Sequence, residues 1–156
     1  GSDSQTLALT VQAATEGSFS VGTLMIKLNF VTAGKDSIKL TATLGGMDSG
    51  LVLDGQDLMV DVGGEVISGT LNPKGQLKTD TVTAKVKAGS SGHLLTLKTK
   101  LSQHQDGLTG EGLTDRDSDN ESIPVDLTVT LGSFMFTGTV TVTYKATTGK
   151  KGLARN

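Results

Sequence analysis

Apolar and polar residues alternate with a period of two along most of this chain, as they do in β-strands that bury one face. In the segment TLMIKLNFVT every second residue from Leu24 to Phe30 is apolar, while Lys27 and Asn29 fall on the opposite face. The alternation recurs in further segments, which are Ile38–Leu44, Leu58–Val62, Val82–Val86, Leu95–Leu101, Val125–Leu131 and Phe134–Tyr144. With Leu7–Val11 and a short segment around Ile67, the pattern predicts about nine strands.

Turn signals, rather than long loops, separate the predicted strands. LNPKGQL places Pro73 and Lys74 in the centre of a turn followed by Gly75, which is typical of a type I turn with a glycine bulge. Gly63 and Gly64 predict a tight hairpin between DLMVDV and EVISGT. The one candidate for a helical turn is the short segment LSQHQDG.

Many short strands with one polar face, joined by tight turns, favour stacked antiparallel sheets. We therefore predict an all-β fold, a two-sheet antiparallel β-sandwich of immunoglobulin-like, Greek-key type, with a β-barrel as the alternative. The chain of 156 residues has the size of one domain. We expect residues 1–5 to be a cloning remnant or disordered start, residues 6–146 to form the domain, and residues 147–156 to form a flexible tail or linker.

Composition argues against several classes of function. The chain has no cysteine, so thiolate catalysis and cysteine-based metal sites are excluded. Its formal net charge is -2 and its lysines are spread singly, so we expect no nucleic-acid binding. Aromatic residues make up only 3%, which leaves few rings for stacking on sugars or bases. No apolar run approaches the roughly 20 residues that span a bilayer, so we expect no membrane insertion.

The acidic stretch TDRDSDNESIPVD is the strongest candidate for a chemical site. On the template of a helix–loop–helix calcium loop, its carboxylates fall at positions that supply ligands, and oxygen is the ligand that calcium prefers. The spacing therefore predicts a calcium site. Its ligands would be Asp115, Asp117, Asp119, Glu121 and Asp126.

Other features of the stretch oppose a calcium site. Asn120 stands where the template has glycine, Ile123 offers no ligand, and a strand rather than a helix follows. An extended chain separates alternate carboxylates by about 6.6 Å, which is too far for one ion, so the loop would have to curl. The alternative is a charged, mobile loop that keeps a strand connection soluble.

The residues offer little for catalysis. His93 and His104 have no adjacent acidic partner and no second histidine at a metal-binding spacing, so we expect both to be surface residues. AGSSGH lacks the glycine spacing of a nucleophile elbow. We therefore expect no enzyme and no cofactor, with calcium as the one exception considered.

The segments LNFVTAGKDSIKLTATL, VDVGG, TLNPKGQ, EGLTD and VTYKATTGKKG resemble, in their order, an uncharacterised β-sandwich module of large secreted proteins of environmental bacteria. The resemblance begins near Leu24, covers most of the chain and rests on turn signatures. It implies an immunoglobulin-like, non-catalytic, extracellular module. The acidic stretch is not a feature of the resemblance.

These observations together predict a structural or interaction module, acting as a spacer or adhesion domain of a secreted or cell-surface protein. Its partners would be other proteins or neighbouring modules of the same chain, and its signal peptide would have been removed ahead of Gly1. The alternative function is a calcium-dependent ligand-binding domain that uses the acidic stretch from Asp115 to Asp126.

Overall fold

The computed structural model describes residues 15–48, 50–90 and 92–156, so the predicted strand Leu7–Val11 and residues 1–5 lie outside the described part. The described strands are β1 (Thr15–Glu16), β2 (Ser18–Asn29), β3 (Ser37–Gly45), β4 (Asp57–Val62), β5 (Glu65–Thr70), β6 (Gln76–Lys78), β7 (Val82–Gly89), β8 (Gly92–Thr99), β9 (Ser118–Leu131), β10 (Phe134–Thr147) and β11 (Lys151–Arg155). A single α-helical turn, α1 (Gln105–Leu108), precedes a 3-10 turn at Thr109–Glu111.

All the strands belong to one sheet, in which the order is β5-β4-β9-β10-β11-β2-β3-β8-β7-β6. These neighbours pair antiparallel, and the short strand β1 pairs parallel with β10. The sheet curls until its two edge strands approach each other. This approach is visible where the side chain of Leu77 on β6 fills the space beside Gly69 on β5. The all-β prediction is confirmed. The described strands form one connected sheet, so the two-sheet sandwich is not confirmed, and the barrel alternative fits the nearly closed sheet.

In strands β2 to β11, alternation places one face in a common core, as predicted. In β4, Leu58, Val60 and Val62 are buried, whereas Met59 and Asp61 between them keep contact with solvent. Burying one such aliphatic side chain contributes about 1.5–3 kcal/mol, so the repeated pattern is the main source of stability.

The predicted turns are also present. Gly63 and Gly64 have φ values of 58° and 102° in the two-residue hairpin between β4 and β5, a conformation that residues with a Cβ rarely adopt. At the second turn the amide of Gly75 donates to the carbonyl of Asn72 at 2.9 Å, and Gly75 has φ 71°. This is the type I turn with a following glycine that the sequence predicted.

Chain segments cover the two ends of the sheet. One end carries residues 100–117, which we call the cap, and the cap buries Leu108 and Leu113 in the core. At the other end, Met47, Leu51 and Leu53 in the connection between β3 and β4 pack against the core. The predicted helical turn lies in the cap, as α1.

The segment 147–156, expected to be a flexible tail, instead contributes strand β11 to the sheet. Residues Lys151–Arg155 pair with β10 on one side and with β2 on the other. Composition was a poor guide because the buried positions of β11 are Gly152 and Ala154, which are small. A side chain on Gly152 would collide with Tyr144, since its Cβ would lie 2.6 Å from the phenol oxygen. Beyond β11, the amide of Asn156 donates to the carbonyl of Leu24.

Candidate functional site

Two of the five predicted calcium ligands bind backbone amides of the hairpin between β10 and β11. The Asp115 carboxylate accepts the amide of Gly149 at 2.7 Å, and the Asp117 carboxylate accepts the amide of Thr148 at 2.9 Å. Hydrogen bonds from amides to a carboxylate are among the stronger ones in proteins. These two acids therefore fasten the end of the cap to the hairpin.

Arg116 lies between those two acids in the sequence, but its side chain contacts other residues. Its guanidinium donates to the carbonyl of Gly112 and to the carboxylate of Glu121 at 2.8 Å, and it lies over the ring of Tyr144 at 5.6 Å from the centroid. The hydrogen bond from Arg116 lowers the pKa of the exposed Glu121 carboxyl below its usual value. Glu121, a third predicted ligand, is thus engaged with a cation of the protein itself.

Tyr144 is the buried residue that both Thr114 and Arg116 contact. Its side chain is fully buried, and its hydroxyl donates to the carbonyl of Thr114 at 2.6 Å. Ser118 also belongs to this cluster, because its hydroxyl donates to the carbonyl of Tyr144. Burial raises the pKa of the Tyr144 phenol to about 12, an effect that Arg116 opposes and Asp115 adds to. We call Asp115, Arg116, Asp117 and Tyr144 the latch.

The remaining two predicted ligands lie on strand β9. Asp119 is exposed near the start of the strand, and Asp126 is opposite Thr139, whose hydroxyl donates to it at 2.8 Å. Glu121 and Asp126 are separated by five residues of extended chain, roughly 16 Å. The structure therefore does not bring the five carboxylates together, since a calcium ion binds its oxygens at about 2.4 Å.

The two histidines, expected at the surface, are both buried. His93 and His104 are 2% and 4% exposed, and the expectation was therefore wrong. His104 is held in its buried position by a residue far away in the sequence. Its backbone amide donates to the buried carboxylate of Asp36 at 2.8 Å. That carboxylate also accepts the amide of Asn29 and the side chain of Gln105. Asp36 thus ties the cap to the turn between β2 and β3.

The ring of His104 lies between a hydroxyl and a carboxylate. Its Nε2 is 2.8 Å from the Thr99 hydroxyl, and its Nδ1 is 3.2 Å from a Glu65 oxygen, a contact that is not aligned as a hydrogen bond. A hydroxyl, an imidazole and a carboxylate in series are the parts of a nucleophilic triad. Here the residue Thr99 is 5% exposed, and its hydroxyl accepts the amide of Ile38. The series therefore connects the cap to strands β5 and β8.

His93 lies inside β8 at the opposite end of that strand from Thr99. Neither ring nitrogen has a hydrogen-bond partner among the described residues. A buried polar atom without a partner costs free energy, so His93 is a point of local instability.

Cations and acids occupy different strands. Strands β2, β3, β6, β7, β8, β10 and β11 contain no Asp or Glu, whereas β4, β5 and β9 contain no Lys or Arg. The acids of the second group are Asp57, Asp61, Glu65, Asp119, Glu121 and Asp126. The first group exposes a set that we call the basic face, which consists of Lys27, Lys39, Lys78, Lys85, Lys87, Lys98, Lys145, Lys151 and Arg155.

Cross-strand register brings together lysines that are far apart in the sequence. One row of directly opposed residues crosses seven neighbouring strands, roughly 30 Å, and contains Thr143, Arg155, Met25, Lys39, Lys98, Thr83 and Lys78. Lys39 and Lys98 are direct partners in this row, and like charges directly opposite destabilise a sheet. No lysine of the basic face forms an ion pair with an acid that the structure describes.

A groove of about 610 Å³ lies where β2, β10 and β11 meet, at the capped end of the sheet. Four exposed lysines line it, and its apolar lining includes Leu28, Ala146 and Leu153. The lysines are Lys27, Lys35, Lys145 and Lys151. No acidic residue lines this groove. The sequence contained part of this signal, because the period-two pattern places Lys27 on a polar face, but strand neighbours were needed to assemble the rest.

Among the side chains that the structure describes, no group of three His, Cys, Asp or Glu residues is placed to hold a metal ion. In the described part of the chain, no helix has the length and apolar character needed to cross a membrane. Comparison with family models, curated proteins and solved structures found no match for this chain.

Proposed function

We propose that this chain is a non-catalytic structural and interaction module of a secreted or cell-surface protein, and that it binds through the outer surface of its sheet. The observation that carries the proposal is the filled interior. The inward side chains of both halves of the sheet form one apolar cluster, and the segments at both ends pack against it. A ligand therefore has access to the outer surface and to shallow grooves.

The candidates for catalysis support the same conclusion. The hydroxyl of Thr99 is buried, and His104, which would act as its base, is buried with it. A substrate carbonyl has to approach within about 3 Å of a nucleophile, which this packing does not permit without opening the cap. The resemblance to secreted bacterial modules supplies the extracellular setting of the proposal, and the nearly closed single sheet fits the barrel alternative.

The test is a co-sedimentation experiment with bacterial cell-envelope material. Purified protein is incubated with the envelopes and sedimented, and both the bound protein and the soluble fragments released are measured. We expect saturable binding without release of sugar or peptide. Release that increases with protein concentration would show an enzyme, and the absence of any binding would remove the interaction role.

A further inference from the structure

We propose that the basic face binds a linear acidic polysaccharide, whose carboxylate or sulfate groups lie against the lysine rows and in the lysine-lined groove. This inference rests on the proposed function, because it names the chemistry of the partner for an interaction module. It begins from the concentration of cations on strands that contain no acid, although the chain as a whole has a net charge of -2.

The direct pair of Lys39 and Lys98 indicates a binding role rather than a structural one. Opposed like charges weaken strand pairing, and an acid at either position would have relieved the repulsion. Departures from the rules of stable sheets occur mostly at functional sites. An anionic ligand that lies across β3 and β8 would compensate both amines.

The groove extends this surface at its capped end. Lys27 and Lys145 both flank Leu153 as cross-strand neighbours, and Lys151 lies in the next row. Lys27, Lys145 and Lys151 thus line a single concavity together with apolar residues. Such a concavity fits a sugar ring that carries an anionic group, since the ring packs on apolar surface while the anion reaches an amine.

A polysaccharide fits the remaining surface chemistry better than other polyanions do. Hydroxyl side chains separate the amines, among them Thr83, Thr96 and Thr143, and they match the hydroxyl groups of sugars. The strands of the basic face contribute no exposed aromatic ring, so neither nucleic-acid bases nor sugar rings could stack on one there, and the polysaccharide would be held through its charged and hydroxyl groups. An acidic peptide would dock by adding to a sheet edge, but among the strands of the basic face only the three-residue strand β6 lies at an edge, and the others are paired on both sides.

The test measures binding of the purified protein to polygalacturonate and to dextran sulfate, with neutral dextran as the uncharged control. The test variant is Lys39→Gln/Lys98→Gln. The matched control is Lys74→Glu, which removes the same two units of charge from a turn outside the basic face. We expect the double variant to bind both polyanions roughly tenfold more weakly, the control to bind like the wild type, and neutral dextran not to bind.

Several results would overturn the proposal. Equal losses in the double variant and in Lys74→Glu would mean that net charge alone matters. Tighter binding to duplex DNA, or to vesicles of anionic phospholipid, would assign a different partner. Unfolding in urea checks that the double variant is folded, and removing the repulsion should leave it at least as stable as the wild type. If the double variant still sediments with cell envelopes as the wild type does, this inference fails while the proposed function stands.

Discussion

The Tyr144 phenol gives the most direct test of the latch. It is the only tyrosine and there is no tryptophan, so the near-ultraviolet absorbance of phenolate reports this one side chain. Burial raises its pKa from 10.0 to about 12 in the folded protein. We expect the native protein to ionise with a midpoint near 12, and the unfolded protein in denaturant to ionise near the ordinary value of about 10.

The shift has a defined sign for stability. Below pH 10 the phenol is neutral in both the folded and the unfolded chain, so its contribution is fully present. Between about pH 10 and pH 12 the unfolded chain loses the proton while the folded chain keeps it, so stability falls as pH rises. Two pKa units correspond to at most about 3 kcal/mol. Other groups titrate in the same range, so a matched variant is required.

Tyr144→Phe is that variant. At neutral pH it should be less stable than the wild type by about 1–2 kcal/mol, because the carbonyl of Thr114 loses its 2.6 Å hydrogen bond. This deficit should shrink and then reverse as the pH approaches 12, since phenylalanine cannot ionise. Denaturant unfolding of both proteins across this range measures the difference. A native midpoint near 10, or a deficit that does not change with pH, would refute the reasoning.

Three further predictions concern buried and acidic residues. His93→Leu should raise the free energy of unfolding by about 1 kcal/mol, because it removes two buried nitrogens that have no hydrogen-bond partner among the described residues, and a loss of stability in urea unfolding would contradict this. Asp36→Asn should cost about 2–3 kcal/mol, since its carboxylate accepts two backbone amides, while the exposed control Asp54→Asn should change little. Calcium at about 2 mM should leave the melting temperature of the wild type unchanged. Asp115→Asn should lower the melting temperature equally with calcium and with chelator, because it weakens the hydrogen bond to the amide of Gly149. Stabilisation of the wild type by calcium would instead support the predicted calcium site.

Strands that alternate locally were predictable, because each carries its own pattern. Val60 and its neighbours on β4 show this, since every second residue is large and apolar. Strand β11 was not predictable in the same way. Its inward residues, Gly152 and Ala154, are small, and at Gly152 the ring of Tyr144, which belongs to another strand, occupies the space that a side chain would need. When a residue on a distant strand limits the size of the inward side chains, the segment itself lacks the alternation of large apolar and polar residues that predicts a strand.

The candidate sites show the same division between local and distant information. The calcium template uses spacing alone, whereas sheet register fixes Asp126 opposite Thr139. Burial of His104 depends on Asp36, which is 68 residues away in sequence. The lysines of the basic face are single residues on the polar sides of their strands, so their positions on a face were readable. The sequence pattern did not show which strands are neighbours, and it is the neighbouring strands that together form the basic face.

Strand β11 determines when the sheet can be completed during synthesis. It joins β2, near the start of the described chain, to β10, more than a hundred residues later. While the ribosome has not yet released residues 151–155, β2 and β10 each have an edge whose partner is missing, and open edges recruit other chains. Nascent copies emerging side by side on one messenger RNA would therefore be at greatest risk of joining one another shortly before synthesis reaches this strand.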